Sequence, residues 1–154
     1  MDVQENITLI DYEDRWLDDL ILMWRESFEH GVGIVDPHPL EEQRRCFLEN
    51  ILPYNAVKLA VEEDQLLGFI AASRKSVSQL YVRVGLHRRG IGTLMLNWAK
   101  QQYRGNLWLH TFQQNRVARA FYERQGFVEL ERGFEEMWQL ADIKFGWQRQ
   151  ATSK

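Results

Sequence analysis

A lone cysteine, only three prolines and no long apolar run mark this chain of 154 residues. Each shortage excludes something. Cys46 by itself can close no intrachain disulfide and build no cysteine-based metal cluster. Its place in the middle of "EEQRRCFLEN" reads as helix core, not as a nucleophile. No apolar stretch reaches the roughly 20 residues needed to cross a bilayer. The beginning, "MDVQENITLI", lacks the basic patch and apolar block of a secretory signal, so a cytoplasmic location is expected. Basic residues are not in excess: 19 Lys and Arg against 22 Asp and Glu leave a formal net charge of −3. That balance argues against a broad nucleic-acid surface. Repeats and low-complexity tracts are missing, and the length suits a single domain spanning 1–154.

What the chain does have is 45% hydrophobic residues, with 6 Trp, 8 Phe and 5 Tyr, enough bulky side chains for a sizeable core. Their spacing predicts the elements. "ITLIDY" alternates as a strand, and Trp16, Leu17, Leu20, Ile21, Trp24 and Phe28 share one face of a helix after Asp14, ending at "HGVG". Asp36, Pro37 and Pro39 predict entry to a second helix, capped by Asp36 and stopped by Pro53. "AVKLAVEEDQLLGFIAAS" predicts a hairpin with Glu62 and Glu63 solvated at its turn, and "VSQLYVRV" a further strand. Ile91, Leu94, Met95, Trp98 and Ala99 mark an amphipathic helix; "NLWLHTF", "NRVARAFYERQ", "FVELE" and the alternation at Ile143, Phe145 and Trp147 complete the order. The expected class is α/β (α+β): a mixed, mostly antiparallel sheet of about seven strands with helices on both faces.

Two stretches carry chemistry. In "GLHRRGIGTLMLNWAK" a strand runs through Arg88 and Arg89 into Gly90 and Gly92 at a helix start. Backbone N–H groups there have no intrahelical partner and sit at the positive end of the helix dipole, so bare backbone suits a phosphate-like anion. The stretch lacks the Gly-Lys-Ser/Thr ending of a Walker loop and the third glycine of a dinucleotide fingerprint. In "NRVARAFYERQGF", Asn115, Arg119 and Tyr122 fall on one helix face, with Asn115 and Tyr122 about 10 Å apart along the axis. Asn115 is equally a good N-cap and Gly126 a good helix stop.

"LYVRVGLHRRGIGTLML", "LWLHTFQQN" and "NRVARAFYERQGF", in this order, resemble the acyl-CoA-binding half of the GNAT superfamily of N-acetyltransferases over residues 78 to 128. The resemblance implies a cradle for the CoA pyrophosphate at His87, Arg88, Arg89, Gly90, Ile91 and Gly92, with Thr93 following; His87 stands where the family has Gln or Arg, and Val84 where it often has proline. It implies a pantetheine arm lying along Leu80, Tyr81 and Val82, where the strand splays from its neighbour at a bulge. Asn115 and Arg119 would line the cofactor, and Tyr122 would bind it and protonate the leaving thiolate. Acetyl-CoA is then the expected cosubstrate, and a primary amine of a small molecule or peptide the expected acceptor. The alternatives are a non-catalytic acyl-CoA-binding module and an acetyltransferase of protein N-termini or aminoacyl-tRNA, the last disfavoured by the acidic balance.

In this family acceptors meet the first helices and the last strands, here "FEHGVGIVDPHP" with His30, Asp36 and His38 and "GFEEMWQLAD" with Glu135, Glu136 and Trp138. Acidic and aromatic groups suit a cationic amine. No carboxylate lies on the strand "SVSQLYV", and His110 is the strand residue able to serve as a base or as an ordinary structural histidine. His30, Asp36 and His38 lack helical metal-ligand spacing, so no metal is expected. Neither a nucleic-acid nor a membrane partner is expected; an edge strand at the aromatic tail leaves room for a homodimer.

Overall fold

A computed structural model describes residues 6–103 and 105–149. Among these described residues, seven strands and four α-helices follow in the order β1 (Thr8–Asp11), α1 (Leu17–Val32), α2 (Leu40–Cys46), β2 (Ala56–Glu62), β3 (Gln65–Ala72), β4 (Val77–Val82), α3 (Ile91–Gln102), β5 (Leu107–Phe112), α4 (Arg116–Arg124), β6 (Val128–Glu135) and β7 (Leu140–Trp147). The predicted order holds. Strands β1-β2-β3-β4 form one antiparallel sheet and β5-β7-β6 a second, also antiparallel. Between β4 and β5 the described residues make a single parallel bridge, Ser76 with Trp108.

Two clusters of apolar side chains lie on opposite faces of these sheets. Helices α1 and α2 cover one, built from Trp16, Leu20, Trp24, Phe28, Phe47 and Phe69 among others. Helices α3 and α4 cover the second, with Ile91, Met95, Leu96, Tyr122, Ile143 and Phe145. Strand β3 is sandwiched by both, and all its residues after Gln65 are buried, which explains why "LLGFIAA" is one continuous apolar run instead of an alternation. The β2–β3 hairpin turns on Glu63 and Asp64, both left-handed at φ 49° and 64°, the two-residue geometry that matches strand twist.

The second helix departs from expectation. Its α-helical part begins only at Leu40, and the chain then winds through a π-helical stretch, Phe47–Ile51, and a 3-10 turn, Leu52–Tyr54. Asp36 is therefore not its cap; Pro39 occupies that position, and the Asp36 carboxylate bonds inside the loop instead. The first helix likewise starts with a 3-10 turn at Asp14–Trp16, where no side chain caps the end. It stops at Gly33, whose φ of 85° lets its N–H reach the Glu29 carbonyl at 2.8 Å.

Gly68 on β3 lies hard against both β4 and α3. A Cβ there would fall 2.6 Å from the Tyr81 carbonyl oxygen and 3.0 Å from Met95 Cε. Backbone cannot yield as a side-chain tip can. Gly68→Ala should therefore destabilise the fold by about 1–3 kcal/mol, read as a lower urea midpoint at unchanged slope.

Candidate active site

Beyond the Ser76–Trp108 bridge, β4 and β5 run apart and leave a cleft of about 80 Å³. Its walls are β4 from Val77 to Tyr81, β5 from Leu109 to Phe112, and the α4 residues Asn115, Ala118 and Tyr122. Val32 of α1 lies across its opening. The irregularity in β4 sits early, with Val77 and Gln79 paired to successive β3 residues and Ser78 left over. The bulge expected beside Val82 is thus near the start of the strand. Val82 itself remains opposite Gly68, and its carbonyl accepts the Ser27 hydroxyl at 2.9 Å, a bond from α1 that fixes the strand end.

At that end the chain enters the glycine-rich loop. Gly85, Arg88 and Gly90 take φ values of 93°, 72° and 82°, and Gly90 is the N-cap of α3. The Leu94 N–H reaches back to the Gly90 carbonyl at 2.9 Å, so the amides of Ile91, Gly92 and Thr93 precede the first helical bond. Gly92 is bare for a packing reason as well: a Cβ would lie 3.1 Å from Phe121 Cζ. This mouth has the donors and open backbone that a diphosphate requires.

The side chains around it divide their labour differently from the expected sum of charges. Arg89 is turned back to Glu62, its Nη2 lying 3.2 and 3.1 Å from the two carboxylate oxygens. Its charge is matched within the protein and anchors the loop to the β2–β3 hairpin. Glu62 is accordingly not the solvated turn residue expected of it. Thr93 Oγ1 accepts from Gln125 Nε2 at 3.1 Å, tying α3 to the end of α4. For His87, desolvation first and His30 second lower the pKa and favour the neutral ring. Arg88 is the exposed cation of the loop.

On α4 the cleft-facing stripe is Asn115, Ala118 and Tyr122. Arg119 is not among these lining residues: its Nη1 donates to the Gln113 carbonyl at 2.9 Å, and its Nε is buried with no partner. Asn115 is the N-cap, accepting the Ala118 N–H at 3.2 Å, and its amide packs so tightly against α1 that a Cβ on Gly31 would lie 2.8 Å from Nδ2.

Two phenols meet the cleft from opposite layers. Tyr122, 7% exposed, belongs to the α3–α4 core, with Phe127 and Phe145 against its ring. Burial, with Tyr81 nearby, raises its pKa well above that of an ordinary phenol. Tyr81 packs on the α1 side, its ring stacked 6.0 Å from Phe69 and 6.4 Å from Trp24, and burial pushes its pKa up to about 12. Both hydroxyls are protonated at neutral pH. Leu80 and Val82 point the other way, into the α3–α4 cluster. His110 lines the cleft from β5 with its ring edge-on to Trp108 at 5.4 Å. No cluster of three or more metal-ligating side chains occurs among the described residues.

A split antiparallel sheet with a helix mouth at one end of the split defines an N-acetyltransferase type of fold. The chain belongs to the GNAT family: the model described as "Acetyltransferase (GNAT) family" matches residues 14–127. YiaC of Escherichia coli (strain K12), a peptidyl-lysine N-acetyltransferase, is 30% identical over 95 residues, which are 60% of this chain. The chain spans 64% of that relative's length. Among solved structures, apo YjaB from Escherichia coli superposes with a TM-score of 0.76 at 19% identity, over 92% of this chain and 97% of YjaB. The PaiA N-acetyltransferase of Thermoplasma acidophilum, solved in complex with coenzyme A, gives 0.74 at 21% identity over 93% and 99%.

Placing a β-branched side chain at the left-handed Gly90 tests the helix mouth directly. Gly90→Val should weaken coenzyme A binding about tenfold or more in calorimetric titration, while Arg119→Gln leaves it within about threefold.

Proposed function

We propose that this protein transfers an acetyl group from acetyl-CoA to a primary amine, with a lysine side chain in a peptide as the favoured acceptor. The observation that carries this reading is the cleft at the split between β4 and β5, lined by Tyr122, on a strand β4 that leads through the glycine-rich loop to the Gly90 cap of α3. Backbone amides at Ile91, Gly92 and Thr93 hold the pyrophosphate, and the thioester arm follows the edge of β4 past Leu80, Tyr81 and Val82. The amine attacks the thioester carbonyl, the resulting oxyanion is met by a backbone N–H near Val82, and the C–S bond breaks. Tyr122 donates its proton to the departing thiolate. A phenol held protonated by its surroundings is suited to that task, because the proton is available until charge develops on sulfur.

For the acceptor, two observations favour a lysine within a peptide over a small free amine. The similarity to a peptidyl-lysine N-acetyltransferase is one. The other is the exposure of Phe134 and Met137 with Glu136 around the β6–β7 turn, apolar and acidic groups suited to the stem and charge of lysine.

The reading is tested by thiol release from acetyl-CoA with polyamines, amino acids, aminoglycosides, free peptide N-termini and N-terminally blocked lysine peptides. Turnover is expected with the last group, and absence of release with every amine would overturn it. Tyr122→Phe should lower kcat by about 10² to 10⁴-fold and leave the KM for acetyl-CoA within about threefold.

A further inference from the structure

Acetyl transfer to an alkylammonium needs a base, and the reading above assigns none. The cleft narrows the choice. Among the described residues that line it there is no carboxylate and no lysine; the polar side chains are the hydroxyls and amides of Ser78, Gln79, Thr111 and Asn115, two phenols, and the imidazole of His110. Neutral amides, hydroxyls and protonated phenols offer no basic lone pair to an ammonium. An imidazole does, at its unprotonated ring nitrogen. His30, His38 and His87 are not among the lining residues, so His110 is the basic group that the cleft itself presents.

Strand alternation decides from which side that ring comes. Leu107 and Leu109 are buried in the α3–α4 cluster, so Trp108 and His110 are carried on the opposite face of β5. His110 is exposed there, its ring centroid 5.4 Å from that of Trp108. Among the described residues no hydrogen bond or ion pair engages either of its ring nitrogens. His38 is the contrast, its Nδ1 lying 2.8 Å from the Asp36 carboxylate. A histidine kept for structure is buried or tied at its nitrogens, and His110 is neither.

Tyr122 meets the same cleft out of the α3–α4 core, from the other face of the sheet. The space between is about 80 Å³, room for two or three water molecules at about 30 Å³ each. A thioester placed in so small a space is bordered by both side chains. In acyl transfer the acid serves the departing sulfur while the base serves the incoming nitrogen, so two separate groups are required. One from each face meets that requirement.

We infer that His110 is the acceptor-side base, taking a proton from the amine as it reaches the thioester from the α1 side of the cleft. One N–H bond of the ammonium breaks, and its electron pair stays on nitrogen for attack on the carbonyl carbon. The proton bonds to the free ring nitrogen, giving an imidazolium that releases it to solvent after transfer. The charged groups on this face are Lys144, opposite His110 on β7, Asp142 two residues along the same strand, and Glu131, which pairs with Lys144 from β6. From β4, α4 and Val32 of α1 the lining side chains are uncharged.

The inference rests on the acetyl-transfer reading, and the experiment separates the two. Thiol release from acetyl-CoA with an N-terminally blocked lysine peptide is followed between about pH 6 and pH 10.5 for wild type, His110→Ala and His110→Gln, alongside coenzyme A affinity and melting temperature. Near neutral pH both variants should lose about 10²-fold in kcat, with coenzyme A affinity and the KM for acetyl-CoA within about threefold of wild type. That deficit should shrink to within about tenfold as the pH nears about 10.4, the reference value of a lysine amine, because the nucleophile is then neutral without help. Full activity near neutral pH in either folded variant, or a deficit that stays constant with pH, overturns the assignment. His110→Gln keeps a polar side chain of similar reach on the strand, so the test stands even where His110→Ala fails to fold. Absence of thiol release by wild type with every amine overturns the acetyl-transfer reading itself.

Discussion

Backbone amides and carbonyls along a strand must meet a neighbouring strand, a ligand or water, and between β4 and β5 the described residues supply a single bridge. The two sheets are each complete by themselves, so the fold tolerates the gap. The edges facing the cleft keep hydrogen-bonding capacity that a neighbouring strand would otherwise use, and a polar, extended ligand such as a pantetheine arm can be held there as if it were a short strand.

The split is maintained by fastenings at both ends. Ser27 pins the Val82 carbonyl from α1, while Arg83 reaches the Leu66 carbonyl and pairs with Asp19, so β4 cannot swing toward β5. Across the gap, Gln114 donates to the Val32 carbonyl at 2.6 Å and Gly31 admits the Asn115 amide. The pairing of Arg89 with Glu62 belongs with these fastenings. A loop that must present amides in a left-handed geometry is stiffened by the hairpin beside it, and the long-range part of the attraction for an anion is left to Arg88 and the helix end.

The layers also separate the two phenols of the cleft. Tyr122 and the first turn of α3 lie on one side of the sheets, and Tyr81 and Trp138 on the other.

Periodicity was sufficient for the order of strands and helices, because the apolar spacing of α1 and α3 and the unbroken run of β3 are consequences of burial on one face or on two. The glycines at 90 and 92 and the Asn115-to-Tyr122 stretch carried the resemblance to the GNAT family, since their local geometry is dictated by neighbours in the chain. Long-range pairings stayed hidden. That Arg89 meets Glu62, 27 residues away, that Arg119 turns from the cleft while Ala118 faces it, and that Asp36 serves His38 instead of a helix end depend on how the elements pack. Short-range spacing fixes which face a residue shares, and the sequence alone determined that much here; tertiary packing decided which charges are matched and which side chains reach the cleft, because those are settled by partners distant along the chain.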